Sequence, residues 1–390
     1  MNPDRAWVAT RKGLFELRRR HGSWGIERTR FLGDPVSMLL PPQADGRMLA
    51  ALNLGHFGVK LHVSDDAGVH WHEVATPAYP PQPEDAGGPP WTLVQLWSLE
   101  AAHGTVWAGT LPGGLFRSAD FGRSWQLVEA LWHRAERLEW FGGGYDVPGI
   151  HSICPHPQRA GEVLLGISCG GAWVSGDDGA SWRLQADGMR AAYLPPEQAD
   201  NPNTQDPHRI ERCAGAPEVL WCQHHNGIWR SSDNAHSWQP LHEVPVSSFG
   251  FALAVHPRQP DTAWFVPAQA DVCRVPLGGA LVVNRTRDGG RSFTTLRDGL
   301  PQSNCYDLVY RHGLALGPDG DTVTDRLFGL LLIVKDAQDD GSWGHLKACA
   351  NDECRWAFYD RSRNHGGTWC EMSTCGNKLK NREFRARRKT

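Results

Sequence analysis

Four cysteines near the carboxyl end of the chain have the spacing of a metal site. Cys349, Cys354, Cys370 and Cys375 form the pattern C-x4-C-x15-C-x4-C. Two close pairs of thiolates can enclose one tetrahedral Zn²⁺, and four sulfur ligands leave no coordination position for water. The predicted site is therefore structural. A tail of about 50 residues could hardly build its own core, so bound zinc would supply the missing stability.

Basic residues accompany these cysteines. Residues 341–390 contain 11 Lys/Arg against 5 Asp/Glu, whereas the rest of the chain has a net charge of -9. Dense positive charge beside a rigid zinc knuckle suits contact with DNA phosphates, although a solvated basic end is an alternative interpretation. The predicted DNA-binding residues are Arg361, Arg363, Lys378, Lys380, Arg382, Arg385, Arg387 and Arg388.

The residues around the cysteines resemble the CGNR zinc finger. The resemblance rests on CRWAFYD from Cys354, SRN from Ser362, WCEM from Trp369 and CGNK from Cys375, and it covers roughly residues 325–390. It implies a bacterial transcription regulator that binds DNA. Lys378 stands where the motif has Arg, which keeps the positive charge but not a bidentate contact. A zinc module that binds protein, or that only stabilises the C terminus, remains the alternative.

A second group of polar residues lies upstream and could bind a small molecule. If the fold brings them to one cavity, they would form an ordinary ligand site, and three or more imidazoles could hold a metal. The alternative is that each histidine bonds to backbone and packs. A glycine-rich segment, FGGGY at residues 141–145, is expected beside them. The candidates are Glu100, His151, His208, Arg209, His224 and His225.

The elements that must position this second group belong to a repeat. Five segments share the frame S/T-x-D-x-G-x-x-aromatic, and successive copies begin 54, 57, 56 and 55 residues apart. The Asp can accept backbone N–H bonds, the Gly permits a positive φ, and the aromatic ring buries the turn against its sheet. Ala235 replaces the Gly in the fourth copy, which predicts a slightly altered turn. The copies begin at Ser64, Ser118, Ser175, Ser231 and Thr286.

The segments around each turn predict four antiparallel strands per repeat. A short strand such as GFALAVHP comes first, then a glycine-containing hairpin such as VLLGISCGGAWVS, and a last strand follows the turn. Four antiparallel strands at this period are typical of a β-propeller blade. We therefore predict an all-β propeller with a small C-terminal α/zinc-knuckle module.

The turns are Asp-boxes, and residues 1–324 resemble the bacterial BNR-repeat, sialidase-like propellers. That resemblance implies the fold and says little about function, because Asp-boxes lie on the outer rim of a blade. A sialidase needs three arginines, a Tyr nucleophile with a Glu partner and an Asp acid. The usual Arg-x-Pro motif is missing, and FLGDPVS stands in that region. We predict no catalytic residue; a glycosyl-hydrolase-like or other small-molecule-binding propeller is the alternative.

The sequence is compatible with two ways of ending the ring of blades. Residues 6–30 supply three strands, five fuller blades follow, and an inner strand near Tyr306–Tyr310 begins another blade that no Asp-box completes. Either the ring has six blades and an unfinished seventh, or this strand pairs with Trp7–Thr10 and closes a six-bladed ring. We expect domains at residues 1–324 and 325–390. An open ring would expose strand edges.

Composition narrows the class of protein further. Charged residues are 21% and Gly and Pro number 43 and 27, which fits a turn-rich globular protein. No apolar run approaches the length of a membrane span, and the amino terminus has no signal pattern, so we expect a cytoplasmic protein. Six scattered cysteines upstream of the tail are expected to be buried thiols. The expected partners are DNA through the tail and a small molecule or protein at the propeller channel.

Overall fold

The structure is a computed structural model that describes residues 4–20, 23–315, 346–348, 357–359 and 367–368. The chain divides into two units, Met1–Arg326 and Leu327–Thr390. The described part of the first unit is almost entirely antiparallel sheet, arranged as a six-bladed β-propeller. The predicted propeller class is confirmed.

Each blade is a meander in which strands pair in sequence order. Blade 1 has three described strands and the other five blades have four. Blade 1 comprises Arg5–Thr10 (β1), Gly13–Arg20 (β2) and Ser23–Arg30 (β3); blade 2 comprises Val36–Leu40 (β4), Met48–Asn53 (β5), Val59–Ser64 (β6) and His72–Val74 (β7). Blade 3 comprises Gln95–Ala102 (β8), Thr105–Leu111 (β9), Leu115–Ser118 (β10) and Gln126–Leu127 (β11).

The remaining blades follow the same plan, as the repeat predicts. Blade 4 comprises Ile150–Pro155 (β12), Val163–Ile167 (β13), Gly171–Ser175 (β14) and Arg183–Leu184 (β15); blade 5 comprises Pro207–Arg212 (β16), Leu220–His224 (β17), Gly227–Ser231 (β18) and Gln239–Pro240 (β19). Blade 6 comprises Gly250–Val255 (β20), Ala263–Pro267 (β21), Val283–Thr286 (β22) and Thr294–Leu296 (β23). The described helices are short: Glu129–Trp132 (α1) and 3₁₀ turns at Gly55–Phe57, Ala135–Glu139, Pro202–Thr204 and Leu277–Gly279. None of the described helices is long and apolar enough to span a membrane.

The five repeated turns share one hydrogen-bond pattern. In the second copy the Ser118 hydroxyl accepts the N–H of Gly122 at 2.7 Å and donates to Asp120 Oδ1 at 2.7 Å. The fourth copy keeps this pattern, because the Ala235 N–H reaches Ser231 Oγ at 2.9 Å with φ at 68°. The expected alteration of this turn is therefore not seen; Ala235 instead adopts the left-handed conformation that glycine accepts more readily.

Apolar layers between the sheets hold the blades side by side. The first strands of blades 2 to 6 run next to one another around the centre, and β1 contacts β4. Leu49 and Leu61 of blade 2 pack with Leu99 and Phe116 of blade 3 in one of these layers. Because such a layer lies between each pair of neighbours from blade 1 to blade 6, the sheets fix the positions of the central strands.

The propeller has six described blades, as predicted, but the chain beyond blade 6 does not form the predicted strand. Residues 301–315 contain no strand, and β1 pairs only with β2 among the described residues. Neither an inner strand near Tyr306–Tyr310 nor a pairing of that segment with Trp7–Thr10 is present there. Arg311 and His312 instead contact residues of three different blades at the centre of the propeller.

The second unit is described at two strands and two further residues. Leu346–Ala348 (β24) pairs antiparallel with Ala357–Tyr359 (β25). The four cysteines of the predicted zinc site, the eight predicted DNA-binding residues and nearly all of the predicted α/zinc-knuckle module lie outside the described residues.

Candidate functional site

The first strands of four blades each send one residue to the centre from a β-bulge. In the pairing of the first strand with the second strand of each blade, Trp97 of β8, His151 of β12 and His208 of β16 have no partner residue. A longer irregularity in β20 includes Phe251. A bulge re-aims a side chain relative to its strand neighbours. The ring contacts among these residues show that they converge: Trp97 meets His151 edge-on at 5.4 Å, and His208 stacks on Phe251 at 4.2 Å.

Asp206, His208 and His225 form the most compact polar group at this centre. Asp206 Oδ2 lies 3.3 Å from His208 Nε2 and 3.4 Å from His225 Nδ1. One nitrogen or oxygen of each residue lies within 4.8 Å of the other two. Burial opposes ionisation of Asp206, but His208, His225 and Arg311 hold the pKa of its carboxyl well below the usual value. Burial lowers the pKa of His208 in spite of the carboxylate beside it.

His151 is a fully buried member of the same region. Its Nδ1 lies 2.9 Å from Ser152 Oγ, and its Nε2 has no hydrogen-bond partner among the described residues. Burial, together with the positive charge of Arg311, puts the pKa of His151 far below its ordinary value. This imidazole is therefore neutral and keeps one nitrogen free for a ligand or water.

Arg311 lies between rings from blades 3 and 6. Its guanidinium carbon is 4.6 Å from the Trp97 ring centroid and 5.4 Å from that of Phe251. The residue is 7% exposed, and its Nε has no hydrogen-bond partner within the described chain. Burial lowers the pKa of Arg311 to about 10, which still leaves it charged at neutral pH. His312 adds a hydrogen bond of 3.0 Å between its Nε2 and the His151 carbonyl oxygen.

Glu100 and Arg209 belong to a second cluster further along the same strands. Arg209 Nη2 pairs with Glu211 Oε1 at 2.8 Å, and its Nη1 donates to the His151 carbonyl at 3.4 Å. Burial raises the pKa of half-buried Glu100 to about 7, although the charge of Arg209 opposes this. The two predicted residues thus lie near each other, and Arg209 contacts the first cluster at the backbone of His151.

His224 packs beneath the site. Its Nε2 accepts the N–H of Asp206 at 3.0 Å, and its ring lies 4.7 Å from that of Trp229. Burial lowers the pKa of His224 to about 3, so the ring is neutral. His224 therefore supports the backbone of Asp206 and does not face the group of Asp206, His208 and His225. This is the packing role that the sequence offers as the alternative to ligand binding.

The glycine-rich segment lies where the sequence analysis expects it. A Cβ at Gly143 would stand 3.1 Å from Asp206 Oδ2 and 3.0 Å from Ser168 Oγ, so glycine keeps space open beside that carboxylate. Tyr145 meets the Trp97 ring edge-on at 5.3 Å. The segment therefore covers one side of the central group.

Sequence reasoning missed Asp206, Arg311 and Asp271. Asp206 lies two residues before the candidate His208, next to the predicted first strand of a blade. Its position in the sequence could therefore have marked it as a candidate. Arg311 occurs in the expected inner strand near Tyr306–Tyr310, and nothing in its local sequence indicates that the chain turns to the centre. Asp271, 3.5 Å from His225 Nε2, lies in a long connection within blade 6 that the repeat does not define.

Comparisons with known proteins separate the two units. Residues 345–388 match the family described as CGNR zinc finger. No curated protein matches the chain. The fold and this match define a β-propeller protein with a C-terminal CGNR zinc finger region.

Solved structures resemble the propeller at low identity. An ancestral GH74 enzyme is 14% identical with a TM-score of 0.51, covering 73% of this chain and 33% of that one. The GH74 xyloglucanase from Xanthomonas campestris is 16% identical with a TM-score of 0.53, covering 77% and 45%. YCF48 bound to D1 peptide is 15% identical with a TM-score of 0.48, covering 80% and 83%. This chain spans less than half of either GH74 enzyme, and such identities show the fold alone.

Proposed function

We propose that the chain is a zinc-dependent DNA-binding protein, a transcription regulator whose propeller is a non-catalytic sensor or interaction platform. The match of residues 345–388 to the CGNR zinc finger carries this proposal. Four cysteine thiolates are the donor set that tetrahedral Zn²⁺ prefers, so Cys349, Cys354, Cys370 and Cys375 fit the ion by their chemistry. The domain boundary we propose falls between Thr324 and Asp325.

Charge and sequence order support a DNA contact by this segment. Cys349 follows β24 directly and Cys354 precedes β25, so the first cysteine pair belongs to the stretch between two paired strands. Positive charge is concentrated between Arg361 and Lys389. Side chains of this type bind phosphates without reading sequence and release counterions as they do so.

The natural full-length chain should bind duplex DNA with a steep dependence on salt. Each phosphate contact contributes a slope of about -0.9 to log K against log salt concentration, so Arg387→Ala/Arg388→Ala should reduce the slope by about 2. Titration of labelled duplex at several salt concentrations measures this. Cys370→Ser, or removal of zinc by a chelator, should abolish binding because the zinc-held structure is lost.

Cys273→Ser is the matched control, because this thiol is half-buried in the propeller and forms no disulfide. It should bind DNA like the natural chain. Absence of binding at low salt with zinc present would contradict the proposal. The six described cysteines are all free thiols, five of them buried, which supports the cytoplasmic location that we also propose.

A second function, small-molecule binding by the propeller, is favoured by one observation. Two buried groups at its centre, His151 Nε2 and Arg311 Nε, have hydrogen-bonding capacity that no described residue uses. Buried polar atoms that converge on one place without protein partners are characteristic of ligand sites. A hydrolase would in addition need a proton donor, and the raised pKa of Glu100 makes it the described residue best suited to that role.

A further inference from the structure

The centre of the propeller carries a set of metal ligands that is separate from the cysteines of the tail. We propose that Asp206, His208 and His225 bind a divalent transition-metal ion. Two imidazoles and one carboxylate are a frequent ligand set for Zn²⁺ and its neighbours in the first transition series. The inference rests on the described geometry of the propeller and stands whether or not the tail binds DNA.

The two distances from Asp206 to the histidines are those that a shared ion requires, and all three ligand atoms lie within 4.8 Å of one another. Ligand atoms bonded to tetrahedral Zn²⁺ at about 2.0–2.2 Å stand about 3.3–3.6 Å from one another. Asp206 Oδ2 lies 3.3 Å from His208 Nε2 and 3.4 Å from His225 Nδ1. Both separations exceed the usual N–H···O⁻ length of about 2.7–2.9 Å for a charge-assisted hydrogen bond. The carboxylate oxygen thus faces two ring nitrogens at metal-site spacing.

Hydrogen bonding fixes the tautomer of His208 in the form that a metal needs. His208 Nδ1 lies 2.6 Å from the Gly250 carbonyl oxygen, which can only accept, so Nδ1 carries the hydrogen. Nε2 is then the ring atom that remains for a metal, and it lies on the side of Asp206 Oδ2, 3.3 Å away. A histidine whose other nitrogen donates to a backbone carbonyl is the usual arrangement at metal sites.

In Asp206 and His225, the polar atom that does not face the shared point also has a protein partner. Asp206 Oδ1 accepts the N–H of Cys169 at 3.2 Å, which leaves Oδ2 for the ion. His225 Nε2 lies 3.5 Å from Asp271 Oδ2, so coordination through Nδ1 directs the Nε2 hydrogen toward a carboxylate. Each of the three ligands therefore has a partner on the side away from the shared point.

Beside the three ligands, Gly143 places no side chain and Ser168 offers a further polar atom. Ser168 Oγ is buried without a hydrogen-bond partner in the described chain, and a Cβ at Gly143 would come within 3.1 Å of both Ser168 Oγ and Asp206 Oδ2. Three protein ligands leave a coordination position open, as in catalytic and ligand-binding zinc sites. Arg311 does not form an ion pair with the Asp206 carboxylate among the described residues. Its guanidinium instead stacks on the rings of Trp97 and Phe251.

Metal content of the untagged full-length chain tests the proposal. The protein is stripped with a chelator, reloaded with Co²⁺ and counted by inductively coupled plasma mass spectrometry. We expect two ions per natural chain, one ion in Cys370→Ser/Cys375→Ser, and none when His225→Ala is added to those substitutions. The ion that remains in the cysteine variant should lack the thiolate-to-cobalt charge-transfer band, because nitrogen and oxygen ligands hold it.

Two further variants make the result independent of a folding defect. Asp206→Asn, which keeps the side-chain shape, should also lose the ion in the cysteine-substituted background. His156→Gln is the control, because this buried histidine accepts backbone N–H bonds from Gln158 and Arg159 in blade 4, outside the group. It should retain the ion. The proposal is overturned if the cysteine-substituted chain holds no Co²⁺, or if His225→Ala and Asp206→Asn retain it.

Discussion

At the scale of single residues, the centre of the propeller places charged groups where burial changes their protonation. Glu100 is the clearest case outside the proposed metal ligands. It lies on β8, half-buried, within the field of Arg209 and Glu211, and burial raises the pKa of its carboxyl to about 7 from 4.5. The folded protein therefore binds this proton more tightly than the unfolded chain does, and the contribution of Glu100 to stability is lost as pH rises through 7.

Glu100→Gln should remove this loss. Relative to the natural chain, the variant should gain stability as pH rises from 5 to 8. One pKa unit corresponds to about 1.4 kcal/mol, and solvent screening in the channel reduces the expected gain to about 1–2 kcal/mol. Urea unfolding at a series of pH values measures it.

Glu136→Gln is the control for this experiment. The Arg134 side chain holds the pKa of Glu136 below its ordinary value, so its effect on stability is constant between pH 5 and 8. The difference between this variant and the natural chain should not change across that range. A Glu100→Gln advantage that is equally independent of pH would contradict the assigned protonation of Glu100.

The sequence indicates part of the central group and omits the rest for a physical reason. His208 and His151 are visible because they lie on the first strands of predicted blades, and His225 is visible because it follows another histidine in a predicted hairpin. Asp206 and Arg311 are ordinary charged residues, and only the three-dimensional structure shows that they lie near each other at the centre of the propeller. His224 and His225 are neighbouring candidates, yet adjacent residues of a hairpin point to different sides of the sheet. Of the two, His225 is the one whose ring lies beside the Asp206 carboxylate.

At the scale of elements, the repeated turns decide how each blade closes. Asp120 accepts the N–H of Arg123 at 3.1 Å and of Ser124 at 2.8 Å, and its Oδ2 accepts the Ser124 hydroxyl at 2.6 Å. The Ser124 hydroxyl bond and the backbone N–H groups lower the pKa of Asp120 to about 2. The carboxylate thus replaces the strand partners that backbone groups lack at the turn.

Asp120→Ala should destabilise the protein by about 1–3 kcal/mol, because several hydrogen bonds lose their common acceptor. Chemical unfolding followed by tryptophan fluorescence measures the change. Asp85→Ala is the control: this exposed residue lies in a long connection, and its replacement should alter stability by less than about 0.5 kcal/mol. Equal effects of the two substitutions would show that the turn does not depend on its aspartate.

Blade structure is the level at which the sequence predicts best. Period, turn residues and alternating apolar strands locate all five complete blades, since each blade is a local meander. The β-bulges that turn Trp97, His151 and His208 inward were not predicted, because a bulge depends on the neighbouring strand and on packing at the centre. The strand predicted near Tyr306–Tyr310 does not form among the described residues. An inner strand and a segment that enters the centre share an apolar and aromatic composition, so the sequence does not distinguish them.

At the scale of the whole molecule, the two units carry different chemistry. The acidic propeller presents a central group of histidines, a carboxylate and Arg311, and the basic second unit carries the cysteines and the match to the CGNR zinc finger. The two proposed metal sites differ in donor type, thiolate in one and imidazole with carboxylate in the other. Cysteine and histidine substitutions can therefore separate the functions of the two units within one full-length chain.

Blade 1 should be the least protected part of the propeller. Within the described residues β1 and β12 each pair with one strand, but five of the six β1 residues are only half-buried, whereas β12 lies between two other central strands and is almost wholly buried. Local opening requires less free energy where fewer apolar contacts are lost. In native-state hydrogen exchange, amides of Arg5–Thr10 should exchange at least about tenfold faster than those of Ile150–Pro155, a difference of about 1.4 kcal/mol in opening free energy. Equal protection of the two strands would contradict this prediction and indicate that a further strand pairs with β1.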